Sequence, residues 1–210
     1  MSAVPSRLYV IADRDALGPR SLADAVEEMA QAGVRWIQVR AKGAPGALLA
    51  REIEECCRRL AGSGAELWLD DRVDLAALLP VAGVHLGQED LPPRAARPLL
   101  PPERRIGCST HSATQAAEAA ADRTVDVVAV GPVFPTRGKE RPDPVVGLDL
   151  VRWARRLSSK PLVAIGGIDS ASLPEVLAAG ADAAVVLGAV CRAPDLGASC
   201  RRLLVAAGAA

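Results

Sequence analysis

The feature that most restricts this chain is an alternation. Short apolar runs and amphipathic helical patterns replace one another about every 20 to 30 residues along its length. That rhythm is the signature of parallel strands joined by crossover helices. Strands are predicted over 8–12, 35–40, 66–69, 83–86, 105–109, 125–131, 161–165 and 183–187. Helices are predicted over 21–32, 45–60, 72–79, 112–122, 148–157 and 173–179. Ser21, Asp71, Ser112 and Ser172 stand where N-caps are expected, because their side-chain oxygens can accept from the unpaired amides of a first turn. The stretch 91–102 carries five prolines and holds a short helix at most. Three helix-to-strand connections place a glycine at Gly33, Gly83 and Gly180, each expected as a left-handed helix C-cap. Eight such units without a linker predict one domain over residues 1–210, an eightfold β/α (TIM) barrel, with a doubly wound open sheet as the alternative.

Composition agrees with buried parallel strands. Half of the residues are hydrophobic but aromatics make up only 2%, so the core must come from Ala, Val, Leu and Ile. The same scarcity argues against a base-stacking surface. The 25 basic and 25 acidic residues cancel without forming blocks, which gives no support to a nucleic-acid stripe or a membrane-binding patch. No apolar run approaches the length of a bilayer span, and the first nine residues lack the apolar region of a signal peptide. A cytoplasmic setting is expected. The five cysteines, Cys56, Cys57, Cys108, Cys191 and Cys200, show no zinc spacing and are expected to be reduced. No activating base is placed for a catalytic thiolate. Cys56 and Cys57 read as helix filler, and Cys108 as a residue able to line a pocket.

A barrel places its chemistry where strands end and the following loops begin. Polar groups gather at these points: Gln38, Arg40 and Lys42 after the second strand, Asp70 and Asp71 after the third, Gln88, Glu89 and Asp90 after the fourth, and Ser109, Thr110 and His111 after the fifth. Alternation directs Gln38, Arg40 and Lys42 to one side while the chain stays extended. The sixth strand leads into Gly131-Pro132-Val133-Phe134-Pro135-Thr136-Arg137-Gly138-Lys139, a loop with turn formers, a hydroxyl and one of only three lysines. Thr136 and the Gly138 amide can donate to an anion, and Lys139 supplies a compact positive charge. Gly166 and Gly167 follow the seventh strand and Gly188 the eighth, where barrels often hold a phosphate against backbone amides.

Asp71 and Asp90 have no His or Cys companions, which suits Mg²⁺: it takes one or two protein carboxylates and completes its shell with water and substrate phosphate. Arg40, Lys42 and Lys139 would then neutralise the rest of a diphosphate, while a monophosphate would lie over the loops of strands seven and eight. Asp71 as a helix cap and Asp90 as a turn former are the plainer readings. His85 reads as an interior histidine. His111 can shuttle a proton or merely cap and pack.

These motifs taken in order resemble the thiamine phosphate synthase family, the group that also includes the thiazole tautomerases. The likeness begins at Leu8-Tyr9-Val10-Ile11-Ala12-Asp13 and Gln38-Val39-Arg40-Ala41-Lys42. It continues through Asp70-Asp71-Arg72-Val73-Asp74-Leu75-Ala76 and Gly83-Val84-His85-Leu86-Gly87-Gln88-Glu89-Asp90. Ser109-Thr110-His111-Ser112, the loop from Gly131 and Ala164-Ile165-Gly166-Gly167-Ile168 complete it. The resemblance implies transfer of a pyrimidinylmethyl group from its diphosphate to the ring nitrogen of a thiazole phosphate, giving thiamine phosphate and pyrophosphate. It also implies Asp71 and Asp90 as magnesium ligands, with Gln38, Arg40, Lys42, Asp70, Ser109 and Lys139 on the pyrimidine diphosphate. Thr136, Gly138, Gly167, Leu187 and Gly188 fall on the thiazole phosphate. Arg40, Ser109 and Lys139 form the expected catalytic set.

Three positions depart from the family pattern: Asp70 replaces a usual Asn, Gly138 a usual Thr and Gly188 a usual Ser. A carboxylate cannot donate to phosphate, so Asp70 is expected to bind metal or pair with Arg40. Each lost hydroxyl removes a hydrogen bond to a charged group worth roughly 1.5–3 kcal/mol. Two other readings remain at this point, a thiazole tautomerase that uses His111 without metal, and a non-catalytic binding module for thiamine-related phosphates.

Overall fold

The computed structural model describes residues 4–136 and 143–208. Its strands are β1 (Leu8–Asp13), β2 (Trp36–Arg40), β3 (Glu66–Asp70), β4 (Gly83–Leu86), β5 (Arg105–Thr110), β6 (Val127–Val130), β7 (Leu162–Ile165) and β8 (Ala183–Val186). They pair in chain order, all parallel, and β8 returns to β1 to close the barrel. The eight-stranded expectation therefore holds over the open sheet, with ends that differ from the expected ones by up to two residues.

The helices are α1 (Arg14–Leu17), α2 (Leu22–Gln31), α3 (Gly46–Leu60), α4 (Val73–Leu78) and α5 (Pro93–Ala96) in the first half. Then come α6 (Ala113–Ala121), α7 (Gly147–Leu157), α8 (Leu173–Ala178), α9 (Gly188–Cys191) and α10 (Leu196–Ala206). The proline-rich stretch forms only the four-residue α5 and a 3-10 turn, Arg97–Leu99. Ser21 and Ser112 cap as expected, accepting from the amides of Asp24 at 3.1 Å and Gln115 at 3.2 Å. Asp71 does not cap α4: its backbone has φ 61° and its carboxylate turns toward Lys42 instead. Ser172 begins α8 without a side-chain cap bond, and Asp169 accepts from the amides of Ala171 and Ser172 in its place.

Alternation along each strand builds two cores. Outward residues such as Val10, Ile37, Leu69, Val84, Ile106 and Val186 pack beneath the helices. Inward residues fill the barrel itself, and here three of the scarce aromatics collect. The Tyr9 and Trp36 rings stack with centroids 4.2 Å apart, and Trp68 meets Tyr9 edge-on at 6.4 Å. Arg105 lies over the Trp68 ring and pairs with Glu66, closing the end opposite the strand C-termini.

Room for these rings is made by glycine. Gly33 and Gly180 have φ of 104° and 109° and turn helices back toward strands as expected. Gly83 does not. It lies inside β4, where a Cβ would stand 2.5 Å from the Arg105 carbonyl oxygen and 2.9 Å from the Trp68 ring. Gly107 on β5 likewise leaves space for the His85 imidazole. Gly83→Ala is therefore expected to lower stability by about 1–3 kcal/mol through overpacking. Thermal unfolding should show a fall of roughly 2–4 °C for each kcal/mol; an unchanged melting temperature would contradict this packing.

Candidate active site

With these side chains packed at one end of the barrel, the space inside opens at the C-terminal ends of the strands. A cavity of about 530 Å³ lies there, floored by Tyr9, Ala129, Val163 and Val185. Gln38, Arg40, Asp70, Ser109, Thr136, Gly167, Leu187 and Gly188 line it, whereas Lys42, Asp71 and Asp90 do not. Gln38 is only 2% exposed and donates from Nε2 to the Tyr9 hydroxyl at 2.7 Å. Burial holds the Tyr9 phenol well above its usual value, so that group stays neutral.

Strands β1 to β3 end in a chain of opposite charges. Arg40 pairs through Nη1 with Asp13 and through Nε with Asp70 at 3.4 Å. Asp13, 5% exposed, also accepts from the Ala16 amide at 2.9 Å, so one carboxylate starts α1 and aims the arginine. Lys42, half-exposed at the rim, pairs with Asp71 and lies 3.6 Å from Asp70. Asp70 thus pairs with Arg40, one of its two expected fates. Burial, then the Asp71 charge, pushes the Asp70 carboxyl up to about 7 despite Lys42 and Arg40. Partial burial works against the Lys42 charge, but the Asp71 hydrogen bond and neighbouring carboxylates outweigh it and raise that ammonium.

Asp71 is raised by burial and by the Asp90 carboxyl within hydrogen-bonding reach. Asp90 also fixes its own turn by accepting from the Gly87 amide at 2.8 Å, so the turn-forming reading of Asp90 holds beside any ligand role. Among the described residues no cluster of three or more His, Cys, Asp or Glu side chains forms a cation cage. The donor set on offer is two crowded carboxylates, which fits an ion that draws its remaining ligands from water and phosphate.

His85 is interior, as expected, but it also lines the cavity, with Nε2 2.9 Å from the Ser109 hydroxyl. His111 lines it too; Nδ1 is 2.6 Å from the Gly131 carbonyl oxygen and Nε2 3.5 Å from Asp143. Cys108 points outward into a separate groove with Arg94, Gln115 and Asp122. Burial pushes its thiol up to about 11, which leaves it a poor nucleophile.

The opposite wall is built by backbone contacts. Val133 and Phe134 donate from their amides to the carbonyls of Ile165 at 2.8 Å and Gly166 at 2.9 Å, fastening the loop after β6 to the turn after β7. Gly166 and Gly167 have φ of 106° and 67°, and a Cβ on either would strike that loop within 2.5 Å. Thr136 is thereby held on the cavity beside Gly167, Leu187 and Gly188. Gly138 and Lys139 lie outside the described residues. The sequence reading did not single out Tyr9, Asp13, Asp143, Asp169 or Arg192 as site residues. Asp13 carried a usable signal, since it ends an apolar strand just as Arg40 and Asp70 do.

A charged pole facing a glycine-lined wall across the mouth of a β/α barrel defines the class: a barrel with an enzyme-like site for small phosphorylated ligands. Comparison with known proteins narrows it. The thiamine monophosphate synthase family model matches residues 8–190. A thiamine-phosphate synthase of Koribacter versatilis is 43% identical, covering 86% of this chain and 87% of that protein. A putative thiamine-phosphate synthase of Geobacter sulfurreducens is 40% identical, with 97% and 95% covered. The structure of thiamine phosphate pyrophosphorylase from Pyrococcus furiosus superposes with a TM-score of 0.86 at 33% identity, covering 96% of this chain and 95% of that one. The chain belongs to the thiamine monophosphate synthase family.

The Asp70 environment has a measurable consequence. Its folded value lies above the unfolded value near 3.8, so ionisation opposes folding. Stability from this group is full below about 3.8 and is lost as pH rises through about 7. In metal-free buffer Asp70→Asn should raise the melting temperature at pH 8, by roughly 2–4 °C for each kcal/mol relieved. The gain should vanish by pH 4, and an equal gain at both pH values would refute the assignment.

Proposed function

We propose that this cavity joins a hydroxymethylpyrimidine diphosphate to a thiazole phosphate, forming thiamine phosphate and pyrophosphate. The observation that carries the reading is the pairing of two unlike anion-binding regions across one 530 Å³ cavity. Arg40 in the cavity, with Lys42 beyond it at the rim, forms one, and the backbone wall at Thr136, Gly167 and Gly188 forms the other. Family membership supplies the reaction, and these two regions supply places for its two phosphorylated substrates.

The pyrimidine enters toward Gln38 and the Ser109 and His85 pair, while its diphosphate faces Arg40 and Lys42. The Asp13 carboxylate keeps Arg40 aimed, which removes part of the ordering cost when the diphosphate arrives. Asp71 and Asp90 would hold Mg²⁺. Bound there, the ion supplies positive charge against the leaving diphosphate. The carbon–oxygen bond breaks with its electron pair leaving on the diphosphate, and the electron-rich aminopyrimidine stabilises the resulting carbocation. Ala129, Val163 and Val185 contribute only apolar side chains to the floor, which disfavours water as a competing nucleophile there. The thiazole nitrogen, positioned by its phosphate on the opposite wall, donates its pair to that carbon and becomes the thiazolium. No proton transfer is required, and the catalytic demand falls on Arg40, Ser109 and Lys139 as groups that settle charge on the departing diphosphate.

The placement of His111 supports one competing activity, thiazole tautomerisation, because its imidazole reaches the cavity and is oriented by Gly131 and Asp143. Arg40 and Lys42 favour the synthase, since a tautomerase has no diphosphate to hold.

Incubating the purified protein with both substrates and Mg²⁺ should yield thiamine phosphate detectable by mass spectrometry; no product at any magnesium level overturns the synthase reading. Asp71→Ala and Asp90→Ala should each lower kcat/KM by about a hundredfold or more, the scale expected when stabilisation of developing charge is lost. Full activity in both would remove them as magnesium ligands. His111→Ala should leave condensation within about tenfold, because proton transfer contributes nothing to it.

A further inference from the structure

Charge in the mouth is unevenly answered. Arg40 faces Asp13 and Asp70, Lys42 faces Asp70 and Asp71, and His111 faces Asp143. Asp169 is engaged by Ser172 and the amides of Ala171 and Ser172. Arg192 lines the same cavity, yet among the described residues its guanidinium has neither a hydrogen-bond nor an ion-pair partner.

Helix geometry explains where that side chain goes. Long helical side chains lean toward the N-terminus and cover the turn before their own Cα. Arg192 closes the turn of α9, its amide donating to the Gly188 carbonyl oxygen at 3.4 Å. Its Nη1 stands 3.9 Å from the point a Cβ on Gly188 would occupy. Leu187, Gly188 and Ala189 carry no polar side chain, so the guanidinium brings a charged side-chain donor to this part of the wall.

We propose that Arg192 determines specificity for the phosphorylated thiazole, binding its phosphate monoester over Gly188 together with the backbone amides of Gly167 and Gly188. The assignment rests on the monophosphate occupying the wall at β7 and β8. A guanidinium suits this ligand because its planar fork matches two phosphate oxygens at once. Its exposed rim position puts its effect on affinity for the phosphate and not on bond cleavage.

Calorimetry with the full chain tests this without turnover. Arg192→Ala should weaken binding of the thiazole phosphate by about tenfold or more, the scale of a lost charge-assisted hydrogen bond. Binding of the unphosphorylated thiazole alcohol should stay within about twofold, since it lacks the charged group. In steady-state assays the KM for thiazole phosphate should rise, with kcat and the KM for pyrimidine diphosphate unchanged. Equal binding of thiazole phosphate by Arg192→Ala and the parent overturns the proposal, as does an equal loss for the alcohol or no binding by the parent. A parent that binds through Arg192 but forms no thiamine phosphate retains this inference and refutes the synthase reading. An active parent indifferent to Arg192→Ala does the reverse.

Discussion

Filling the inside of the barrel is the constraint on which the rest of the structure depends. Eight closed strands enclose a space that side chains must occupy at interior density, or the sheet loses its inner support. This chain meets the demand unevenly. Tyr9, Trp36 and Trp68 crowd one end, and Gly83 and Gly107 provide the space that the large rings on neighbouring strands require. Small and aliphatic residues on β6 to β8 then leave a hollow at the other end. The cavity is therefore the unfilled remainder of a barrel packed from below, and its depth is set by where the aromatic layer stops.

Above that layer, electrostatics takes over from packing. The ends of β1, β2 and β3 place Asp13, Arg40 and Asp70 in adjacent register. Each charge partly satisfies the next, so Arg40 stays partly buried without being neutralised by a single rigid partner. The arrangement trades affinity for order. Carboxylates that aim the cations also compete with an incoming diphosphate for them, and Asp70 is the clearest case, because it draws on both Arg40 and Lys42. On the other side of the mouth the work falls to backbone, since glycines allow close approach and side-chain hydroxyls are sparse.

The fold was legible because its signal is periodic: each strand announced itself by an apolar run, and the two reliable serine caps bracketed helices. Two kinds of feature stayed hidden. Helices α1, α9 and α10 were missed: α1 and α9 span only four residues each, and the eleven-residue α10 opens with Leu196-Gly197-Ala198-Ser199-Cys200, where small side chains blur the apolar stripe. Gly83 was misread because a glycine between a helix and a strand looks alike whether it serves a positive φ or a neighbouring ring. Site residues at strand ends were largely readable, since barrel geometry assigns them to the mouth. Arg192 was not, because its relevance depends on a side chain folding back over a glycine four residues earlier. Asp71 shows the converse: its position suited a cap, and the three-dimensional charge of Lys42 gave its carboxylate another partner.

The nesting of large rings against glycine on adjacent strands carries an implication for how this barrel can vary over time. Gly83 with Trp68, and Gly107 with His85, each share one volume between two positions. A side chain added on one strand has to be matched by one removed from the next. Such positions change in pairs or remain as they are, and a single step from either pair passes through a strained intermediate. In the second pair that coupling reaches the cavity itself, because the imidazole that occupies the space beside Gly107 also meets Ser109. A packing rule in the barrel wall thus limits which active-site side chains a descendant of this chain can sample.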